Sequence, residues 1–111
     1  MGKSSIGDLE QLILLAVFRL RDDAYGTRIR QEIQDRANRT CSFGALYTTL
    51  ERLEEKGLVS SRLGEATPER GGRAKKHFKV EASGAMALRQ AYQATINMAA
   101  GIEDALLEGA R

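Results

Sequence analysis

The side chains able to do chemistry in this 111-residue chain fall into two clusters. The first runs Ser42-Phe43-Gly44-Ala45-Leu46-Tyr47-Thr48-Thr49, with Arg52 one helical turn further on. It offers hydroxyls and a guanidinium, groups that hydrogen-bond to phosphate oxygens and to the edges of bases. The second lies within residues 62–79, where Arg62, Arg70, Arg73, Lys75, Lys76 and Lys79 are set against only Glu65 and Glu69. The local excess is +4, against zero over residues 1–61 and −2 over 80–111. Placement therefore says more than the net charge of +2. Cations concentrated in one Gly-containing segment suit a polyanion. A solvated loop bearing long cationic side chains is the competing reading.

Catalysis has little to work with. His77 and Cys41 are each the only residue of their type, so the usual zinc cluster cannot be assembled, and no pairing of nucleophile with base is evident. Neither metal nor cofactor is expected, and the chain is read as not an enzyme. His77 is read as structural. Cys41 is read as a small passive residue, the alternative being an oxidisable thiol beside the first cluster. A lone cysteine excludes an internal disulfide and fits a reducing compartment. No apolar run approaches the roughly 18–20 residues needed to cross a bilayer, and the start lacks a signal-peptide cleavage site. The expected location is the cytoplasm, with no membrane partner.

The two clusters need elements to hold them. Ile6, Leu9, Leu12, Ile13, Ala16, Val17 and Leu20 recur at steps of three and four, predicting a helix over 5–20 with Ser5 and Asp8 as its capping pair. Leu14, Leu15 and Phe18 extend its apolar surface around most of the circumference, so a second subunit is a natural cover. Tyr25, Ile29 and Ile33 predict a second helix over about 25–37, with Arg28 and Arg30 on its other faces. Ser42 is a plausible N-cap for a third, whose buried stripe is Leu46, Leu50 and Leu53, and Gly57 followed by Leu58 is a helix stop. Residues 58–63 and 75–80 read as two strands, joined through Gly64, Pro68, Gly71 and Gly72 into a hairpin with a cationic tip. Lys75 and Lys76 fall on opposite strand faces, so one of them is expected to reach a bound polyanion.

The last segment, about 84–108, carries Leu88, Tyr92, Thr95, Ala99, Ile102 and Leu106 at heptad steps, with Ala91, Ala94 and Ala100 small enough to admit a neighbouring helix. A helix of that length spans roughly 36 Å, more than one small domain covers. Gly101, mid-helix, should cost about 1 kcal/mol relative to Ala. The expected fold is mainly α with a small β-hairpin: a winged helix-turn-helix over 1–82, with its wing about 58–80, continued by a long C-terminal dimerisation helix over 83–111. The expected dimer interface comprises Leu9, Leu12, Leu15, Leu88, Tyr92, Thr95, Ile96, Ala99, Ile102 and Leu106. Within it, Leu12, Leu15, Tyr92, Ile96 and Ala99 are candidates to line a pocket for a small apolar effector, against the alternative of a simply packed interface.

Several of these stretches resemble the PadR family of transcriptional regulators. Tyr25-Gly26 followed by Ile29 is similar to that family's opening of the second helix. Phe43-Gly44-Ala45-Leu46-Tyr47-Thr48-Thr49-Leu50-Glu51-Arg52-Leu53-Glu54-Glu55-Lys56-Gly57-Leu58-Val59 follows its Gly-Thr-Leu-Tyr, Leu-x-Arg-Leu-Glu, Gly-Leu pattern. Gly71 to Val80 looks like its wing, and Glu81-Ala82-Ser83-Gly84 like its Thr-x-x-Gly approach to the last helix. The resemblance implies a homodimer held by the N- and C-terminal helices, usually a repressor, of the short subgroup with a single C-terminal helix. It implies double-stranded DNA as partner. The contacts are expected from Tyr25, Arg28, Ser42, Gly44, Ala45, Tyr47, Thr48, Thr49 and Arg52, and from Arg70, Arg73, Lys75 and Lys76 of the wing. Ala45 stands where the family has Thr, His77 where it has an aromatic, and Glu81 where it has Thr. Drug-sensing members stack flat ligands on a Trp near the position of Thr95, and this chain has no Trp. A winged-helix module that binds protein, and a nonspecific architectural DNA binder, are the competing functions.

Overall fold

The computed structural model describes residues 6–64 and 75–109. Helix α1, Asp8–Leu20, starts where Glu10 turns back on its own first turn: its Oε1 accepts the Gly7 N–H at 2.8 Å. The N-cap is thus Gly7, with Glu10 in the reciprocal role expected of Asp8, and Ser5 lies outside the described residues. Arg21 ends the helix at positive φ (53°), and one 3-10 turn, Arg21–Asp23, leads to α2, Gly26–Ala37. The next helix, α3, spans Phe43–Glu55, and its N-cap is Ser42 as expected: Oγ accepts the Ala45 N–H at 3.0 Å.

The expected stop after α3 forms. Gly57 takes φ 77°, the Leu58 N–H donates to Leu53 O at 2.9 Å and the Gly57 N–H to Glu54 O at 3.0 Å, which satisfies the last carbonyls of the helix. Strands β1, Val59–Leu63, and β2, Lys76–Val80, pair antiparallel from Val59↔Val80 to Leu63↔Lys76. Tyr25 bridges His77, and the Phe78 N–H donates to Ala24 O at 2.8 Å, so the chain before α2 serves as a one-residue third strand. The core is closed by Ile13, Leu14, Ile29, Leu46, Leu50 and Leu53, each essentially without exposure, together with Val17, Val59, Phe78 and Leu88.

Glu10 sits at the rim of this core, almost covered, with Oε2 2.9 Å from the Lys56 Nζ of α3's end. Burial opposes its charge, but the Gly7 N–H, the bonded Lys56 ammonium and the charge of Arg52 together hold the carboxyl below its usual range. A carboxyl that is more acidic in the folded chain binds fewer protons there than when unfolded. Its contribution is therefore complete above the ordinary carboxylate pKa and is lost as the pH falls through the lowered one. Thermal unfolding between pH 7 and pH 3 is expected to show stability falling with acid, and Glu10→Gln to be less stable at pH 7 with a flatter acid limb.

The last helical segment differs from expectation. It is two helices, α4, Ala82–Ala99, and α5, Glu103–Gly109, separated at Gly101, which takes φ 88°. Gly101 is not an interior helix residue borne at a cost; it is the breaker, because glycine adopts positive φ without a Cβ clash. The Glu103 carboxylate accepts the Gly101 N–H at 3.0 Å and fixes the turn. The heptad seam therefore does not run from Leu88 to Leu106 along one rod, and α4, at eighteen residues, spans about 27 Å. Leu88 also leaves the expected interface: it is 4% exposed and packs in its own core. Among the described residues no helix is long and apolar enough to cross a membrane.

Candidate nucleic-acid interface

Helix α3 divides its residues sharply. Leu46, Thr49, Leu50 and Leu53 turn inward, while Ser42, Phe43, Gly44, Ala45, Tyr47, Thr48 and Arg52 lie open. Thr49 thereby departs from its expected role. It is 7% exposed and its hydroxyl donates to Ala45 O at 2.7 Å, so it is spent on a back-bond within its own helix and is turned away from a groove. The four-residue step from Ala45 to Thr49 allows that back-bond.

Two aromatic rings stand exposed at the start of α3, Phe43 at 43% and Tyr47 at 44%. They are nearly parallel, 19° between planes with centroids 6.3 Å apart. Their exposure is unusual for rings, but their positions are held. Tyr47 lies against Gly26, where a Cβ would overlap its hydroxyl and ring, so a residue without a side chain is what seats it. On the other side the Arg30 guanidinium lies 4.3 Å above the Phe43 ring, while its Nε donates to Cys41 O at 2.6 Å. Arg30 thus ties the connection before α3 to the helix that follows. The pattern of α2 offered no signal for this, since Arg30 belongs to no motif and its partners are remote in sequence. Cys41 contributes its carbonyl to this network, and its side chain is half-buried.

The strip continues toward the wing. Tyr25, next to Gly26, meets His77 edge to face at 5.4 Å and carries the Lys75 ammonium 4.5 Å above its ring. His77 also approaches Lys75 O through Nδ1 at 3.1 Å, a structural placement. Lys76 lies on the other strand face, its ammonium 5.9 Å from the Phe78 ring, so the two lysines do diverge. Arg30, Phe43, Tyr47, Gly26, Tyr25 and Lys75 therefore form one run from α3 to the base of the wing. Arg28 is half-buried on α2. Arg52 is open to solvent, yet its charge also supports Glu10. Arg70 and Arg73 lie outside the described residues.

This arrangement suits an extended anion. The N-terminus of α3 presents backbone N–H groups and a partial positive charge, Gly44 and Ala45 leave room for close approach, and cations stand at both ends of the strip. Among the described residues no group of three or more His, Cys, Asp and Glu could hold a metal.

The residues expected to join two subunits are less uniform. Leu9 and Leu12 are half-buried against their own core, whereas Leu15, Tyr92, Thr95, Ile96, Ile102 and Leu106 are exposed and Ala99 is partly so. Phe18, expected to widen the apolar face of α1, is exposed, and Met98 and Leu107 add exposed apolar surface that heptad reasoning passed over. Leu12 and Leu15 line a cleft of about 240 Å³ between α1 and α2 with Ala16 and Ile33. Tyr92, Ile96 and Ala99 do not reach it, so the expected effector pocket is not assembled within one chain.

The model of the transcriptional regulator PadR-like family matches residues 14–90. Among solved structures, a PadR-like transcription factor from Bacteroides fragilis is 26% identical, with a TM-score of 0.69 over 86% of this chain and 87% of that one. A PadR-family regulator from Eggerthella lenta is 24% identical, with a TM-score of 0.64 over 88% and 85% of the two chains. A PadR-like regulator from Bacillus cereus is 21% identical, with a TM-score of 0.68 over 89% and 90%. No curated protein matches the chain. The helix-turn-helix built by α2 and α3, the hairpin wing and the match over most of the length agree: the chain belongs to the PadR-like family of transcriptional regulators.

Proposed function

We propose that the chain is a repressor that binds a pseudo-palindromic operator as a homodimer, each copy placing the start of α3 in the major groove and its wing along the adjoining backbone. The observation that carries this reading is the open N-terminal face of α3, continuous through Tyr47, Gly26 and Tyr25 with Lys75 at the wing. The groove accepts a helix, and the first turns of that helix meet base edges. Tyr47, Thr48 and Arg52 supply the polar contacts, and Arg28, Arg70, Arg73, Lys75 and Lys76 the phosphate contacts. The exposed apolar residues Leu15, Phe18, Tyr92, Ile96 and Met98 are surface that a second copy would cover. A dimer on two half-sites blocks a promoter by occupying it.

Selection from random duplexes is expected to return an inverted repeat with half-sites centred about 10 bp apart. Affinity for it should fall steeply with salt, as Lys and Arg release condensed counterions. Sedimentation at micromolar concentration should show a dimer. Equal affinity for scrambled DNA would favour an architectural role, and no DNA binding at all a protein-binding module; a monomer would contradict the paired geometry.

A further inference from the structure

The first turn of α3 itself offers little side-chain hydrogen-bonding capacity to a base reader. Ser42 Oγ is engaged by the Ala45 N–H, Thr49 Oγ1 is turned inward onto Ala45 O, and the Tyr47 hydroxyl lies against Gly26. Gly44 and Ala45 carry no polar side-chain atom. In the second turn the Tyr47 and Thr48 hydroxyls hydrogen-bond to no described residue. What the first turn does present is a ring, Phe43, at the first helical position. A guanidinium on its face and the stacked Tyr47 hold it, yet it remains 43% exposed. A large apolar side chain held in place in this way loses little freedom on meeting a ligand.

Resting on the operator reading above, we infer that Phe43 is a specificity-determining residue that recognises the C5-methyl group of a thymine in the major groove. That methyl is the apolar feature the groove offers, and it distinguishes thymine from the other bases by contact alone. Gly44 and Ala45, beside the ring, have no bulk to hold the helix away from the groove floor. Arg30 backs the ring, its guanidinium fixed by the bond to Cys41 O at 2.6 Å.

The test uses the full chain and the duplex recovered by selection, with each thymine replaced in turn by uracil, which differs only in lacking the methyl. For the unmodified protein, one replacement in each half-site, within the footprint of α3, should weaken binding about fourfold, the expected worth of one buried methyl-sized group. Phe43→Ala should bind the thymine and uracil duplexes equally, and Phe43→Leu should retain part of the discrimination. Circular dichroism should show both variants folded, since the ring is exposed. Indifference of the unmodified protein to every replacement overturns the inference, as does an undiminished uracil penalty in Phe43→Ala. Failure of the selection to return any preferred sequence would overturn the operator reading itself, so the two failures are distinct.

Discussion

Ala45→Asp is expected to weaken specific DNA binding by at least about 100-fold while leaving the fold intact or slightly more stable. Ala45 lies open on the first turn of α3, three residues after the Ser42 cap. A carboxylate there faces unsatisfied backbone N–H groups and the positive end of the helix dipole, which favours the helix by roughly 0.3–1 kcal/mol. Against a duplex the same carboxylate meets phosphates, and a like-charge juxtaposition in an interface costs several kcal/mol. Both copies in a dimer would bear it. Gel shift on the selected duplex, paired with thermal unfolding of the free protein, separates the two effects. Unchanged DNA affinity would mean that α3 does not face the duplex.

The second large effect concerns how α4 is mounted. A Cβ at Gly84 would overlap the Leu58 carbonyl, a backbone group that has no rotamer by which to move aside. The same carbonyl accepts the Glu81 N–H at 2.9 Å, and Ser83 Oγ donates to Gly57 O at 2.7 Å. Gly84→Ala therefore forces the start of α4 off the turn that ends α3. Such overpacking costs about 1–3 kcal/mol, which in a domain of this size corresponds to a fall in melting temperature of roughly 10 °C. Any assembly built on α4 should weaken with it. Gly109→Ala, where a Cβ would meet nothing within 4 Å, is the control and should change stability by less than about 0.5 kcal/mol. Equal melting temperatures for the two variants would show that this close approach is not required.

Much of this was legible before any coordinates. Periodicity located α1 to α3 because each helix buries a stripe at steps of three and four, and the caps at Ser42 and Gly57 followed from residue chemistry. The hairpin was legible from turn residues between two short runs. The split of the last segment was not, since a heptad count registers apolar positions and says nothing of backbone conformation. Gly101 could be weighed only as a cost in a continuous helix, although positive φ is what glycine permits most readily. Thr49 was misplaced for a related reason. A hydroxyl on the recognition helix looks equally useful on either face, and only the packing of Leu46, Leu50 and Leu53 determines which way it turns. Arg30 and the seating of Tyr47 on Gly26 depend on contacts between helices, which spacing along one helix does not encode. Glu81 shows the reverse case: it departs from the family's Thr, yet its carboxylate finds a partner in Ser60 Oγ at 2.5 Å and still joins β1 to the start of α4.

The central claim is that two α3 segments occupy successive major grooves on one face of a duplex, and methylation interference on the selected operator tests it most directly. Modification of guanine N7, in the major groove, is predicted to block binding in two patches centred about one helical turn apart. A single patch, or interference confined to adenine N3 in the minor groove, would contradict it.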